Sequence, residues 1–155
     1  MTNVDMNSVV PVATMVGEDA EDTALLTDAL AEAAAYIQGF AWCKGIREQY
    51  FGGGVGGVVG VFLMRIDPAA TGVDEWLWVV TGDLPSAYFV VDKAPSSAAA
   101  LETYCGLMDD WIHAVQNGSS REDVFPVDAA PTKENATMLE GRMEFLRSEV
   151  VPRLR

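Results

Sequence analysis

The stretch from Glu75 to Asp92, EWLWVVTGDLPSAYFVVD, constrains the fold of this chain more than any other stretch. Trp76, Trp78 and Val80 alternate with further β-forming residues, and after the segment GDLPS the β-formers resume at Tyr88. This pattern predicts a β-hairpin. Because both of its faces are apolar over most of the span, we expect helices to cover the sheet on both sides.

The segment before the hairpin predicts one helix and two further strands. Apolar residues recur at helical spacing from Leu26 to Phe40, and acidic residues at 19–22 precede them, so a helix is predicted from about Thr23 to Phe40. From Ala41 the residue types favour strands as far as Ile66. The glycine cluster at 52–57 divides this region, and we interpret it as a flexible hairpin loop between the two strands.

Two helices are predicted after the hairpin. Ser96 or Ser97 can cap the first, and the sequence Asn117-Gly118 is typical of its end. The second begins near Thr132 and is expected to stop at Pro152, with a buried stripe that consists of Leu139, Met143, Leu146 and Val150.

The order of these elements predicts an α+β fold. It contains a four-stranded antiparallel meander sheet with one helix before it and two helices after it. A chain of 155 residues, half of them hydrophobic, fits a single domain with a core of its own. We place this domain at residues 18–155 and interpret residues 1–17 as an N-terminal arm that is free to fray.

Composition also indicates the cellular setting. Cys43 and Cys105 stand singly in apolar segments, which favours buried thiols in a reducing cytoplasm over a disulfide framework. The first residues lack the pattern of a secretory signal. The longest uncharged run has many glycine and polar positions and falls short of the ~20 apolar residues of a spanning helix. We therefore expect a cytoplasmic protein without a membrane segment.

The net charge of −13 is unevenly distributed along the chain. Residues 1–40 contain seven acidic residues and no lysine or arginine. Such a field repels nucleic acid and anionic lipid, and it attracts a basic protein. An acidic surface also keeps many proteins dispersed without any partner, so solubility alone is the alternative explanation.

No cofactor motif is found in a suitable context. Gly52, Gly54 and Gly57 satisfy the spacing G-x-G-x-x-G of dinucleotide-binding folds, but the strand-like segment VVGVFLMRI follows where that motif requires a helix. We therefore predict no cofactor.

Candidate catalytic residues are few. His113, the single histidine, follows Asp109 by one helical turn, and such a pair can orient a general base. A solvated pair near the end of a helix is the alternative, and no motif places a serine or cysteine nucleophile beside it.

Carboxylates cluster at the predicted strand ends and suit hard cations, but the loop at 67–78 lacks the carboxylate spacing of a calcium-binding loop. One histidine and two distant cysteines do not make a zinc site, so no metal is predicted. The strand-end acids are Asp67, Asp74, Glu75, Asp83 and Asp92.

Three residues are candidates for contact with a partner. Arg47 and Tyr50 stand beside the glycine cluster on a strand that is a candidate sheet edge, and Asp83 lies in the turn of the tryptophan hairpin. Trp76 and Trp78 are interpreted as core residues, and an anchor patch for a partner is the alternative.

The run DEWLWVVTGDLPSAYFVVD, together with the closing segment PTKENATMLEGRMEFLRSEVVP, resembles a group of small bacterial proteins of unassigned function. Their hairpin has the pattern EWLWVVVGDLPPAYLV, and the likeness covers roughly residues 45–152. Ser86 replaces the second proline of that pattern. The resemblance implies a bacterial, cytoplasmic, single-domain protein and assigns no site residue.

These observations leave three hypotheses for function. The first is a non-enzymatic acidic module that binds a basic protein, as an immunity protein or antitoxin does. The second is a small hydrolase that uses Asp109 and His113 or the strand-end carboxylates. The third is a homodimer or larger homo-oligomer joined through the aromatic face of the sheet.

Overall fold

The computed structural model describes residues 3–155, so Met1 and Thr2 of the predicted arm lie outside the described residues. One antiparallel sheet contains all five strands in sequence order. They are β1 (Val10–Pro11), β2 (Cys43–Val55), β3 (Val59–Pro68), β4 (Trp76–Gly82) and β5 (Ala87–Val90). The α+β class and the antiparallel sheet are confirmed. The predicted count of four strands is wrong.

The additional strand, β1, pairs with β2 by placing Val10 opposite Phe51 and Pro11 opposite Tyr50. A strand of two residues is too short for an alternating pattern in the sequence. Its proline is tolerated because an edge strand need not donate every backbone N–H group to a neighbour.

Within residues 3–155, four α-helices accompany the sheet: α1 (Ala20–Gln38) before most of it and α2 (Ser97–Asn117), α3 (Lys133–Phe145) and α4 (Val151–Leu154) after it. Side chains cap the three long helices as expected. Asp19 accepts a hydrogen bond from the Asp22 backbone, Ser96 from Ala99 and Thr132 from Asn135. Gly118 ends α2 with a positive φ of 64°.

Pro152 does not stop the last helix at once, which corrects the sequence prediction. The wider π-helical turn Leu146–Val150 follows α3, and α4 contains the proline near its start. Proline lacks the N–H group that a regular helix needs, and a local widening of the turn accommodates this loss. Val150 and Val151 remain buried as a result.

The glycine cluster is not a flexible loop throughout. Gly52, Gly53 and Gly54 belong to β2, and only Gly56 and Gly57 lie in the turn to β3. A Cβ atom on Gly52 would lie 2.9 Å from the Ser97 Cβ, and one on Gly53 would overlap with Leu154. The glycines therefore let the start of α2 and the end of α4 approach the sheet closely.

Each face of the sheet supports a separate part of the core. One face packs against α1 and the other against α2 and α3, which gives three layers. Trp78 lies on the α2 face with no exposed area. The N-terminal segment contributes the buried residues Val4, Val9 and Met15, and the Asp5 amide donates a hydrogen bond of 2.6 Å to the Pro95 carbonyl.

Candidate functional site

Three adjoining cavities run across the end of the sheet where the β2–β3 and β4–β5 turns meet. Their volumes are about 470, 180 and 140 Å³, and Asp83 lines all three. We call this surface the turn-end groove. It is lined chiefly by Asp28 and Glu32 of α1, Val58, Asp83 and Leu84 of the turns, and Met138, Arg142 and Phe145 of α3.

Glycine geometry places Asp83 in the middle of the turn-end groove. Gly82 adopts a φ of 143°, and a Cβ atom there would collide with the Val58 carbonyl oxygen. This close approach lets the Asp83 amide donate a hydrogen bond of 3.0 Å to that carbonyl. The two turns are thus held side by side.

One end of the turn-end groove is apolar. Met138 and Phe145, two helical turns apart on α3, are 52% and 43% exposed and line the same cavity. Leu84 and the buried Leu146 also line this cavity. Arg142 stands on the same helix and donates to Asp83 at 3.2 Å. This ion pair joins α3 to the turn, and the two larger cavities share it.

The other end of the turn-end groove is acidic. Asp28 and Glu32 of α1 are exposed, and the Glu32 carboxylate contacts only the Ser86 hydroxyl, at 3.4 Å, among the described residues. Asp22, in the first turn of α1, accepts a hydrogen bond of 2.6 Å from the Gly56 amide. This bond ties the acidic helix to the β2–β3 turn.

The ion pairs leave the surface with a large excess of negative charge. Seven of the 23 acidic side chains pair with six arginines, and the chain has ten lysines and arginines in all. In residues 3–155 this leaves 16 acidic groups and four basic groups without an ion pair. The unpaired bases are Lys44, Lys93, Arg121 and Lys133.

Of the other predicted contact residues, Arg47 lies toward the opposite end of the sheet from Asp83, and Tyr50 lies near the middle of β2. Arg47 pairs with Asp67 at 3.1 Å, and the Tyr50 hydroxyl donates to Glu48 at 2.6 Å. Arg65 also donates to Glu48, at 2.7 Å. The bond from Tyr50, followed by the bond from Arg65, lowers the pKa of Glu48. The structure therefore does not unite the three predicted residues in one site.

Asp109, one of the two candidate catalytic residues, is paired with an arginine. Asp109 is held by Arg147 through two hydrogen bonds, of 2.5 and 3.3 Å. His113 is exposed and lines none of the three cavities of the turn-end groove. In residues 3–155, no hydrogen bond joins its imidazole to Asp109. The geometry gives no support to a general base oriented by that carboxylate.

The strand-end carboxylates are also divided. Asp67, Asp74, Glu75 and Asp92 lie at one end of the sheet and Asp83 at the other, because adjacent strands run antiparallel. Within the part of the chain that the structure describes, no group of three or more His, Cys, Asp or Glu side chains is arranged to hold a metal ion.

Sequence reasoning identified Asp83 but missed most of the turn-end groove. The available signal was the pair Met138 and Phe145, which lies outside the buried stripe predicted for α3. No feature of the sequence connects this pair with Asp28 and Glu32, because α1, α3 and two separate turns form the groove.

Comparison with protein families, with curated proteins and with solved structures finds no match. The resemblance to small bacterial proteins therefore stays a prediction. None of the helices within residues 3–155 is both long enough and apolar enough to cross a bilayer. The fold and the turn-end groove together define an α+β protein with an acidic, partly apolar surface.

Proposed function

We propose that this protein is a non-enzymatic binding module that docks a basic partner protein on the turn-end groove. Neutralisation of a basic effector in the bacterial cytoplasm, as by an immunity protein or antitoxin, is the biological role that fits this activity. The observation that carries the proposal is the adjacency of exposed Met138 and Phe145 to acidic groups without ion pairs at the other end of the same groove.

The apolar end supplies a place for an anchor. Methionine adapts its shape to different partners, and an exposed phenylalanine supplies a large area that becomes buried on binding. Residues of this kind near the centre of an interface contribute most of the binding free energy. An aliphatic or aromatic side chain of the partner would occupy the cavity of about 470 Å³.

The acidic end would orient the basic partner and raise its rate of association. Asp28 and Glu32 attract lysine and arginine side chains, and the excess of unpaired acids steers a basic protein toward the whole surface. The same excess makes two copies of this chain repel one another, so a heterologous basic partner fits this surface better than a homodimer does.

Affinity capture with matched variants tests the proposal. The tagged protein is incubated at low salt with an extract of the source cell, and bound proteins are identified and quantified. We expect a basic protein at near one-to-one stoichiometry. Raising the salt concentration should weaken its retention, because exposed charges are screened within about 10 Å at 0.1 M salt.

Three paired substitutions assign the binding to the turn-end groove. D28N/E32Q removes the acidic end and M138S/F145S removes the apolar end, and each should weaken binding on the order of tenfold. D92N/D110N removes two exposed acids elsewhere and should change it little. Retention of an acidic partner, or equal binding by all variants, would contradict the proposal.

A further inference from the structure

A second surface, distinct from the turn-end groove, carries a cluster of partly exposed aromatic rings at the β5 edge of the sheet. Phe40 stacks on the Trp42 indole with a centroid distance of 4.8 Å and an interplanar angle of 15°. Tyr88 of β5 approaches Trp42 at 5.1 Å and Phe40 at 4.9 Å. Each ring is therefore held by its neighbours, and Trp42 is supported on one face.

A cavity of about 220 Å³ opens beside this cluster. Trp42 and Tyr88 form its aromatic wall, Val73, Leu77 and Val90 form its aliphatic wall, and Asp74 supplies a carboxylate. We call it the aromatic pocket. Asp74 is exposed and has no ion pair in residues 3–155, so its charge is available to a ligand.

We propose that the aromatic pocket binds a trimethylammonium group. Aromatic rings attract a cation through the negative potential of their faces, and methylated ammonium groups are recognised in this way because they are weakly hydrated. The methyl groups suit the aliphatic wall, and Asp74 supplies the opposite charge. The inference does not depend on the function proposed for the turn-end groove.

Other ligand classes fit the aromatic pocket less well. An anion would meet Asp74 and the negative field of the chain, with no basic side chain among the residues that line the cavity. A neutral apolar molecule would gain the aliphatic contacts but would leave the carboxylate without a partner. A compact metal cation finds only one carboxylate there, because the other lining side chains are aromatic or aliphatic.

Binding of defined compounds to the whole protein, followed by nuclear magnetic resonance, tests this inference. The ligands are choline and N-acetyl-trimethyllysine methylamide. The uncharged analogue 3,3-dimethyl-1-butanol, which has choline's shape, is the control. We expect saturable binding of the cations with a Kd on the order of 1 mM and binding of the alcohol at least tenfold weaker. The cation that binds more tightly distinguishes a free metabolite from a modified protein side chain.

The indole N–H signals give a local readout, because the chain has four tryptophans and only Trp42 lines the aromatic pocket. We expect the Trp42 signal to shift most. W42A should weaken binding at least tenfold and D74N about threefold, whereas D110N on α2 should leave it unchanged. W42F, which keeps an aromatic ring, serves if W42A does not fold, and it should retain part of the affinity.

Two results would overturn the inference. One is the absence of any shift of the Trp42 signal with either cation at concentrations about ten times the expected Kd. The other is equal affinity for choline and its uncharged analogue, because recognition would then depend on shape alone.

Discussion

Trp76 and Trp78 stand on the same face of β4 but differ in the bonding of their indole N–H groups. Trp78 donates a hydrogen bond of 2.8 Å to the Ala94 carbonyl and is fully buried. The Trp76 N–H is buried without a partner in the described structure, while its ring stacks with Tyr50 and lies under Arg65. A buried donor without a partner reduces stability.

Replacing each indole by a phenyl ring should show which of the two N–H groups stabilises the fold. W78F removes the bond, leaves the Ala94 carbonyl unsatisfied and creates a void, so we expect it to lower the free energy of unfolding by about 3 kcal/mol. W76F removes an unpaired donor and should cost less than about 1 kcal/mol. Urea denaturation measures both values, and equal losses would contradict this assignment.

The two cysteines should be inert in the folded protein. Burial raises the pKa of the Cys105 thiol to about 11 from its usual value of 9.0, and it also raises the pKa of the Cys43 thiol. The reactive thiolate is therefore scarce at pH 8. We expect a disulfide reagent such as Ellman's to titrate no thiol before unfolding and both thiols in denaturant. Rapid labelling of the folded protein would contradict this prediction.

Burial of individual residues was predictable where the pattern is strong. The sequence identified Trp78 and both cysteines as core residues, because each stands in an apolar segment with a clear period. The hydrogen bond to Ala94 was not predictable, since it depends on the path of the chain after β5.

At the scale of elements, Asp22 connects α1 to the β2–β3 turn. Its carboxylate accepts hydrogen bonds from the Gly56 amide at 2.6 Å and from the Glu18 amide at 2.9 Å. Glu21 precedes it on the same helix and is exposed, with no ion pair in residues 3–155. Two acids that look alike in the sequence therefore have different roles.

Alanine substitutions should distinguish them. D22A removes two hydrogen bonds to a charged acceptor, and we expect a loss of about 2 kcal/mol in the free energy of unfolding. E21A removes one exposed charge near the helix N-terminus and should cost at most about 0.5 kcal/mol. Thermal or urea unfolding compares the variants. A larger effect of E21A than of D22A would contradict the structural role given to Asp22.

The main helices and strands were largely predictable, but the short edge strand and the close contacts between elements were not. Period and capping residues predicted α1 and α2 to within a few residues, and they predicted the start of α3 but not its end. The strand β1 was missed because two residues carry no pattern. The role of Gly52 and Gly53 was misjudged because the groups that approach them, on α2 and α4, are distant in the sequence.

At the scale of the whole molecule, three layers bring surfaces together that the sequence keeps apart. The turn-end groove combines α1, two turns and α3, so only Asp83 was identified in advance as a contact residue. The negative charge was predictable from composition. Which acidic groups form ion pairs, and which remain without one, depends on the fold.

Amide hydrogen exchange of the complex with the captured basic partner tests the central proposal most directly. We predict slower exchange on binding in four segments, which are 25–32 of α1, the turns at 56–58 and 83–86, and 138–145 of α3. Exchange near Arg47, toward the other end of the sheet, should stay unchanged. Protection there instead, with the four groove segments unaffected, would contradict the account.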